Sequence, residues 1–408
     1  MQKFGLLGRK LAHSYSPAIH AAFGGYDYAL FEVEPEDLTA FMTTAGMDFG
    51  GLNVTIPYKQ DVIPFCHELS PTAQAIGSVN TLIPLPGGGF SGENTDAAGF
   101  TMMLEQSGLT IAGKKALVIG NGGSSLTVCH VLRTLGASEI VVVSIKDNHP
   151  DFLARHTDAA IMVNTSPVGM YPHTGIAPVA LDIFPLLEGV LDLIYNPTRT
   201  QLMMDAAARG LVVQGGLTML VGQAAAASEM FTGRPIGTER VALVEQELRR
   251  KMENIILIGM PGCGKSTIGR MLAEKLGRTF IDADVALATS AGCDIQEIFK
   301  IEGEEGFRKR ETEILRQYGK ESGLIIATGG GCVTRAENYP LLHQNGTIIF
   351  VERDIALLAR EGRPLSQGNL QTMYENRLPL YRRFADKTVY VNSSPQMVAE
   401  KIIGSVNE

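Results

Sequence analysis

The sequence predicts an α/β fold that is divided into more than one domain. Short apolar segments typical of buried strands alternate with helical patterns along the chain, as in parallel sheets covered by helices on both faces. The 408 residues are enough for two or three domains. A segment that reads like the start of a protein, MENIILIGMPGCGKST, begins only at Met252. We therefore expect a domain boundary near residue 251.

The predicted strands form two sets with one helix between them. Residues 116–120, 139–144, 159–164 and 190–195 make the first set, and residues 255–259, 324–328 and 347–351 make the second. In the intervening helix Thr238 is a candidate N-cap, and Val241, Val244 and Leu248 share one face. The basic residues 249–251 suit the C-terminus of that helix.

Composition and charge limit the partners that we expect. The chain is 45% hydrophobic and 19% charged, as in ordinary globular proteins, and its net charge is −8. A nucleic acid or an anionic membrane would favour a basic protein instead. Five cysteines without C-x-x-C spacing indicate reduced thiols in a cytosol. Since there is no signal-peptide pattern and no run of about 18 apolar residues, we expect a cytoplasmic protein that acts on small molecules.

The clearest motif of the second half is G-x-x-x-x-G-K-S at residues 259–266. It follows a predicted strand and precedes a helical pattern, which is the context that a phosphate-binding P-loop requires, although a chance glycine-rich turn is the alternative. Lys265 would reach the β- and γ-phosphates, and the Ser266 hydroxyl would bind Mg²⁺. The residues expected around the triphosphate are Gly259, Gly262, Cys263, Gly264, Lys265, Ser266 and Thr267.

Carboxylates and an arginine–glutamate pair follow the P-loop. Asp282 and Asp284 lie just past a predicted strand and would point to the same side if that strand continued, although Asp282 could instead cap a helix. Arg308 and Glu311 are three residues apart on one helix face, which an ordinary surface pair would also explain.

Glycines and further arginines complete the pattern of the second half. Residues 329–331 are three glycines at the end of a predicted strand, the edge where α/β sheets bind ligands. Arg363 lies in REGRPL and Arg377 in ENRLPLYRR, although Arg363 alone could be a solvated charge. In order, the P-loop, D-x-D, F-R-x-x-E, G-G-G, R-P-L and R-x-P-L-Y motifs resemble those of shikimate kinase over residues 252–408.

This resemblance implies a C-terminal P-loop kinase domain of the α/β/α type that transfers phosphate from ATP to the 3-hydroxyl of shikimate. It implies that Asp284 is the catalytic base, that Lys265 is also catalytic, and that Asp282 lies near Mg²⁺ with Ser266. The residues that it implies for shikimate are Asp284, Arg308, Gly329, Gly330, Gly331 and Arg377, and Arg363 would lie on a lid over the phosphates.

The first half contains polar motifs of its own. HSYSP places Ser14 and Ser16 where both hydroxyls could face one ligand or form a helix-capping turn. NVTIPYK places Asn53, Thr55 and Lys59 around a proline that excludes a helix, although Lys59 could be a solvated surface charge.

Three later segments of the first half add further polar side chains. SVNTL supplies Asn80, and GENTDAAGF supplies Asp96, which could instead cap the helix that starts at Ala97. GGLTMLVGQAA supplies Met219 and Gln223. Together, S-x-S, N-V-T-x-P-x-K, V-N-T, N-T-D, N-x-x-P-V-G-M, Y-N-P and G-x-x-M-L-V-x-Q resemble the motifs of shikimate dehydrogenase over about residues 1–245.

That resemblance implies reversible, NADP-dependent reduction of 3-dehydroshikimate to shikimate. It implies a substrate domain of residues 1–98 and 216–250 and a Rossmann-like NADP-binding domain of residues 99–215. Lys59 and Asp96 would be the catalytic pair, because hydride delivery to a ketone leaves an alkoxide that needs a proton donor. The residues implied for the substrate are Ser14, Ser16, Asn53, Thr55, Lys59, Asn80, Asp96 and Gln223.

The cofactor segment departs from the family pattern. A Gly-x-Gly-Gly turn at residues 120–123 follows a predicted strand, with Ser125 at the position of a third glycine. The family usually has an arginine for the 2′-phosphate at the end of the next strand, where this chain has Ser144, Ile145 and Lys146, and no acidic residue was expected there. We expect NADP(H) to be preferred, but less strongly than in relatives that have the arginine. The residues expected at NADP are Gly120, Asn121, Gly122, Gly123, Ser124, Ser144, Lys146, Tyr195 and Met219.

Two interpretations of the whole chain follow. In one, both halves are active enzymes for consecutive steps towards chorismate. In the other, only the kinase turns over, and the dehydrogenase-like half binds shikimate or acts as a scaffold. The complete set of polar residues favours the first interpretation, whereas Ser144 to Lys146 and the short segment after them favour the second.

Overall fold

The chain folds into two compact units. The structure is a computed structural model and describes residues 3–11, 14–45, 49–144, 146–358 and 370–407. The first unit comprises Met1–Gly169, Ile176–Tyr195 and Leu202–Leu248, and the second comprises Met170–Gly175, Asn196–Gln201 and Arg249–Glu408. Within the described ranges, no helix combines the length and apolar character needed to cross a bilayer.

The first unit opens with a six-stranded mixed sheet. Its strands are β1 (Lys3–Gly8), β2 (Tyr28–Glu32), β3 (Phe49–Val54), β4 (Cys66–Leu69), β5 (Thr81–Pro84) and β6 (Phe90–Glu93), in the order β2-β1-β3-β5-β6-β4. β5 runs antiparallel to β3 and β6, whereas β1 is parallel to β2 and β3. The accompanying helices are α1 (Ser16–Gly24), α2 (Leu38–Ala40), α3 (Pro71–Ile76) and α4 (Asp96–Ser107).

A second, fully parallel sheet of five strands follows in the same unit. Its strands are β7 (Lys115–Ile119), β8 (Glu139–Val143), β9 (Ile161–Asn164), β10 (Gly189–Asp192) and β11 (Val212–Gly215), in the order β11-β10-β9-β7-β8. The helices are α5 (Gly123–Thr134), α6 (Pro150–Leu153), α7 (Gln201–Ala208), α8 (Leu217–Thr232) and α9 (Thr238–Met252). The first predicted set of strands is confirmed as β7 to β10.

The connection from β8 to β9 is unusually short. It contains α6 and one 3₁₀ turn, Ala154–His156, where a crossover normally has a helix of several turns. Helix α9 includes the basic residues 249–251, and the division between Leu248 and Arg249 falls inside it.

The second unit is built on another parallel sheet of five strands. Its strands are β12 (Asn254–Ile258), β13 (Phe280–Asp282), β14 (Ile325–Ala327), β15 (Gly346–Glu352) and β16 (Lys387–Tyr390), in the order β13-β14-β12-β15-β16. The helices are α10 (Lys265–Leu276), α11 (Ala283–Ala291), α12 (Ile295–Gly319), α13 (Asn338–His343), α14 (Leu370–Phe384) and α15 (Pro395–Asn407). The second predicted set of strands is confirmed as β12, β14 and β15, and their apolar side chains form the core of this unit.

Two short segments from before residue 249 belong to the second unit, Met170–Gly175 and Asn196–Gln201. The backbone N–H of Arg199 donates to the carbonyl of Gln344 at 2.9 Å, and its guanidinium lies 3.0 Å from the Glu253 carboxylate. Thr198, which is buried, donates its backbone N–H to Oδ1 of Asn345 at 3.2 Å. These bonds show that the second unit is not a continuous stretch of chain.

Two candidate active sites

A cavity of about 550 Å³ in the first unit brings together the polar residues that the sequence singled out. Its lining includes Ser14, Ser16, Asn53, Thr55, Lys59, Asn80, Asp96, Ser124, Tyr195, Met219 and Gln223. These residues come from strand β3, from helices α1, α4, α5 and α8 and from loops, and they are far apart in sequence. The cavity is therefore lined by hydroxyl, amide, ammonium and carboxylate groups, which can form hydrogen bonds with a polyhydroxy acid.

Lys59 and Asp96 form an ion pair at this cavity. Lys59 Nζ lies 2.5 Å from Asp96 Oδ2, and the two side chains are only 19% and 12% exposed. Asp96 is the first residue of α4, but the Oδ1 atom of Asn94 accepts the N–H of Ala97 at 3.3 Å, so Asn94 and not Asp96 caps that turn. Neither plainer explanation, a solvated lysine or a capping aspartate, describes this pair.

Two asparagine amides beside the ion pair are held in fixed orientations. Asn53 is buried, its Oδ1 accepts the Tyr28 hydroxyl proton at 2.8 Å, and its Nδ2 donates to Thr81 Oγ1 at 3.0 Å. Asn80 Oδ1 accepts the backbone N–H of Thr95 at 2.7 Å. Sequence reasoning did not assign Tyr28 or Thr81, and only their contacts identify them as supports of the cavity wall.

Ser14 and Gln223 reach the same cavity from two helix-bearing segments. The backbone N–H of Ser16 donates to Ser14 Oγ at 3.2 Å, so the turn before α1 is the local motif that the plainer explanation describes. Both serines nevertheless line the cavity. On α8, Gln223 Nε2 donates to the Leu220 carbonyl at 3.0 Å, which fixes the amide of Gln223 in the wall.

The glycine turn after β7 has the geometry of a dinucleotide-binding loop. Gly120 has φ of 105°, and a Cβ there would lie 2.8 Å from Thr165 Oγ1. A Cβ at Gly122 or Gly123 would meet nothing within 4 Å, and Asn121 is exposed, so the N-terminus of α5 is open. Buried Ser125 donates its hydroxyl to the Gly122 carbonyl at 2.6 Å, which explains how serine fits at the third glycine position.

The end of β8 carries a carboxylate that the sequence analysis missed. Ser144 Oγ lies 2.5 Å from Asp147 Oδ2, whereas Lys146 is exposed. The signal was the spacing Ser-x-x-Asp, which favours a turn that returns the aspartate to the serine. Strand β8 thus ends without an acidic residue of its own, but the turn after it brings the Asp147 carboxylate to Ser144.

The second unit has a cavity of about 760 Å³ around the P-loop. Its lining includes Gly262, Gly264, Lys265, Ser266, Thr267, Asp282, Asp284, Arg308, Glu311, Gly329, Gly330, Gly331, Arg353 and Arg377. Gly259 and Cys263 are not part of the lining, and Cys263 is fully buried. Arg363 lies outside the described residues.

The P-loop itself adopts the conformation that its glycines predict. Gly259, Gly262 and Gly264 have φ of 145°, 86° and 106°, a region that only glycine adopts easily. Lys265, at the start of α10, is buried and donates from Nζ to the carbonyls of Gly259 and Met260 at 2.8 and 3.0 Å. The lysine is thus held inside the loop that would surround a triphosphate.

Of the two arrangements that the sequence leaves open for Asp282, the structure has the helix cap. β13 ends at Asp282, whose Oδ1 accepts the backbone N–H of Asp284 at 3.2 Å. Asp284 consequently lies in the first turn of α11. Both carboxylates still line the cavity.

Arg308 and Glu311 form a buried pair on α12 and not a surface pair. Arg308 Nη1 lies 2.7 Å from Glu311 Oε2, and the side chains are 5% and 1% exposed. Burial raises the pKa of the Glu311 carboxyl, while the charge of Arg308 opposes that shift. The pair presents the Arg308 guanidinium to the cavity in a fixed position.

The three glycines after β14 make room for this pair. A Cβ at Gly331 would lie 2.1 Å from Arg308 Nη2, and one at Gly329 would lie 2.3 Å from Glu311 Oε1. Arg377 Nη1 donates to the Gly330 carbonyl at 3.1 Å. The glycines therefore let side chains of the site pack directly on the backbone.

Arg353 is a further residue that sequence reasoning missed. It directly follows β15 and lines the cavity. Within the described part of the chain, its buried Nε has no hydrogen-bond partner. Its only sequence signal is its place after a strand of the parallel sheet, since ligands bind at that edge.

Comparison with known proteins identifies both halves. The family model of the shikimate dehydrogenase substrate binding domain matches residues 6–82, and that of the shikimate 5′-dehydrogenase C-terminal domain matches residues 216–242. A curated shikimate dehydrogenase (NADP(+)) of Symbiobacterium thermophilum is 34% identical over 271 residues, which cover 58% of this chain and 92% of that protein. This chain belongs to the shikimate dehydrogenase family. The shikimate dehydrogenase (NADP(+)) of Clostridium beijerinckii is 38% identical over 251 residues, covering 57% of this chain and 92% of the relative.

Solved structures of shikimate dehydrogenases match the same part of the chain. A chorismate mutase/shikimate 5-dehydrogenase fusion protein from Clostridium acetobutylicum has a TM-score of 0.57 at 35% identity, covering 61% of this chain and 97% of that one. The shikimate 5-dehydrogenase of Thermus thermophilus, solved with NADP(H) and shikimate, has a TM-score of 0.55 at 32% identity, covering 60% and 99%.

The remaining part of this shikimate dehydrogenase family member is a kinase domain. The shikimate kinase family model matches residues 261–407. The match covers the P-loop after Met260, both carboxylates and the arginines of the second cavity. The chain is therefore a bifunctional enzyme of the shikimate pathway.

Proposed function

We propose that the first unit reduces 3-dehydroshikimate to shikimate with NADPH, and that the second phosphorylates shikimate with ATP and Mg²⁺. The observation that carries the first activity is the shielded Lys59–Asp96 ion pair in a cavity lined by hydroxyl and amide groups. For the second, it is Asp284 and the Arg308–Glu311 pair in one cavity with the P-loop.

In the dehydrogenase, Lys59 donates the proton that completes the reduction. When bound, NADPH supplies the hydride. Lys59 protonates the oxygen that becomes the new hydroxyl, and Asp96 holds Nζ in place through the ion pair. The fixed amides of Asn53 and Asn80 orient the substrate with Ser14. The remaining binding residues in this proposal are Ser16, Thr55 and Gln223.

The glycine turn fits a dinucleotide. The N-terminus of α5 offers backbone N–H groups for a diphosphate. Gly122 and Gly123 have no side chains there, and no other atom fills the space that a Cβ would occupy. Ser124, Tyr195 and Met219 line the cavity and would border the nicotinamide. These residues support NADP(H) as the cofactor.

In the kinase, Asp284 accepts the proton of the shikimate 3-hydroxyl. When bound, ATP would supply the phosphoryl group, and Mg²⁺ would neutralise charge on its phosphates. Arg308 and Arg377 pair with the substrate carboxylate, which matches the planar fork of a guanidinium. Lys265 Nζ leaves the carbonyls of Gly259 and Met260 and binds phosphate oxygens instead. Ser266 and Asp282 are the residues on the Mg²⁺ side in this proposal.

Separate substitutions test whether the two sites act independently. Lys59→Ala should lower dehydrogenase kcat by about 10²–10⁴, the usual range for an acid–base group. Lys265→Ala should abolish phosphorylation and leave the dehydrogenase intact. Lys114 is a partly exposed lysine paired with Glu188, and Lys114→Ala is the control that should change neither activity. Loss of phosphorylation in Lys59→Ala would contradict independent sites.

The wild-type assay decides between two enzymes and one enzyme with a binding module. Shikimate and NADP⁺ are mixed with the full chain, and absorbance at the nicotinamide band is followed. No reduction of NADP⁺ alongside normal phosphorylation would favour the interpretation in which only the kinase turns over.

A cytoplasmic location is part of this proposal, and the five free cysteines support it.

A further inference from the structure

The end of β8 adjoins the glycine turn of the dehydrogenase. The backbone N–H of Gly120 donates to the carbonyl of Val143 at 2.8 Å, and Ser144 follows Val143 directly. In dinucleotide-binding folds, an acidic residue near this position binds the ribose hydroxyls of NAD, and an arginine nearby accommodates the 2′-phosphate of NADP. The side chains at this strand end are therefore placed to distinguish the two cofactors.

The carboxylate of Asp147 occupies this strand end. The backbone N–H of Asp147 donates to the Ser144 carbonyl at 3.1 Å, and the Ser144 hydroxyl lies 2.5 Å from Asp147 Oδ2. A hydroxyl has one proton, and Ser144 donates it to Asp147. Ser144 is thereby left as an acceptor, which suits a ribose hydroxyl and not a phosphate.

We propose that Asp147 determines the coenzyme selectivity of the dehydrogenase by opposing the 2′-phosphate and accepting ribose hydroxyls. The enzyme then uses NAD(H) as well as NADP(H). This inference rests on the proposed dehydrogenase function. It revises the expectation from sequence, in which Lys146 and Ser144 faced the phosphate with no carboxylate beside them.

The physical reason is repulsion between like charges. A 2′-phosphate carries between one and two negative charges at neutral pH and would stand close to a carboxylate that is only partly exposed. Exposed Lys146 is a flexible point charge that offsets this repulsion only in part. Removing the negative charge of Asp147 should change the affinity for the 2′-phosphate by about tenfold.

The test compares two fragments of the cofactor on the full-length protein. Isothermal titration calorimetry measures the Kd of adenosine 2′,5′-bisphosphate and of adenosine 5′-monophosphate, which differ only in the 2′-phosphate. Asp147→Asn keeps the size of the side chain and an acceptor for Ser144. We expect it to increase the preference for the bisphosphate by about tenfold, equivalent to removing one charge.

Two control variants separate this effect from a general change in charge. Asp151→Asn removes an exposed carboxylate four residues further along, in the first turn of α6, and should leave the preference unchanged. Lys146→Ala should shift it in the opposite direction. The kcat/KM ratio for NADP⁺ over NAD⁺ should follow the binding data.

Each outcome has a defined meaning. An unchanged preference in Asp147→Asn, or an equal rise in Asp151→Asn, would overturn the role of Asp147. A wild-type enzyme that binds only the bisphosphate would overturn it too. Failure of the dehydrogenase proposal is seen separately, as absence of NADP⁺ and NAD⁺ reduction by the wild-type protein with shikimate.

Discussion

Gly331 illustrates how one residue without a side chain determines the position of another. Its φ of −103° is open to any amino acid, so backbone strain does not require glycine there. The requirement comes from Arg308, whose guanidinium occupies the volume that a Cβ would need. Since Arg308 is buried against Glu311, it cannot move without breaking that pair.

Gly331→Ala should therefore impair shikimate binding more than ATP binding. We expect KM for shikimate to rise by about tenfold or more, because displacement of Arg308 weakens one charge-assisted contact. Steady-state kinase assays with each substrate varied in turn measure this. Gly404→Ala is the matched control, since a Cβ there meets nothing within 4 Å and alanine favours helix α15. Equal increases in both KM values would contradict this explanation.

The asparagines and the ion pair of the first cavity could be predicted from sequence, but their supports could not. Lys59, Asp96 and Asn53 lie in motifs that resemble those of a known family, so the sequence alone predicted that they belong to the site. Tyr28 and Asp147 act through contacts with Asn53 and Ser144 that depend on how the chain turns. Such contacts leave little trace in local sequence.

At the scale of secondary structure elements, burial explains which strands could be predicted. Strand β12 is buried along its whole length and reads as an apolar run after its first residue, Asn254. Strand β2, YALFE, is mostly exposed, and β4, CHEL, has only partly buried and exposed residues, so neither shows a clear pattern. The role of Asp282 stayed open in the sequence because an aspartate after a strand can either extend it or cap the next helix.

Helix α1 is held against the first sheet by a buried histidine. The His20 ring is fully buried and stacks on Tyr28 of β2, with 3.9 Å between the ring centroids. The centroid of the Phe231 ring, on α8, lies 6.0 Å away. Its Nδ1 lies 2.6 Å from the Tyr26 hydroxyl, and burial lowers the pKa of His20 to about 3. The packing of three elements thus depends on a neutral imidazole.

This arrangement predicts that acid weakens the first unit. In the unfolded chain His20 binds a proton near its ordinary pKa of 6.5, whereas the folded chain binds it only near 3. The contribution of neutral His20 to the free energy of unfolding is therefore fully present above pH 6.5. It falls as the pH is lowered, by about 2 kcal/mol between pH 6.5 and about pH 5. Hydrogen exchange of α1 and β3 amides as a function of pH measures it.

His20→Phe provides the comparison, because phenylalanine keeps a ring on Tyr28 but does not titrate. This variant should be less stable at neutral pH and should show a smaller decline in amide protection on acidification. An identical pH dependence in both proteins would mean that other groups cause the acid sensitivity.

At the scale of the whole molecule, each unit owes its stability to residues that are distant in sequence. The second unit includes Asn196–Gln201, where Arg199 contacts the carbonyl of His343 at 2.9 Å and the carboxylate of Glu253. The sequence predicts a domain boundary near residue 251, and a cut there would separate Asn196–Gln201 from the rest of the second unit. The bonds of Arg199 show that a kinase fragment cut there would lack part of its own unit.

Arg199→Ala should destabilise the kinase although Arg199 lies between β10 and α7. Loss of its partly buried side-chain hydrogen bonds should cost about 1–3 kcal/mol. Thermal inactivation of phosphorylation by the full-length protein measures the loss. Arg155→Ala, an exposed arginine in the first unit, should leave the inactivation temperature unchanged. A kinase insensitive to Arg199→Ala would mean that Asn196–Gln201 contributes nothing to the cooperative stability of the second unit.

The short connection after β8 has a consequence for how copies of this protein behave at high concentration. Strand β8, EIVVV, is the edge of its sheet, and Val142 on it is 37% exposed. An apolar edge strand is a template for pairing with a second chain. At neutral pH the net charge of −8 keeps copies apart by mutual repulsion. Near the isoelectric point of about 5.6 that repulsion disappears, and Glu139 is then the one charged residue on this strand that opposes such pairing.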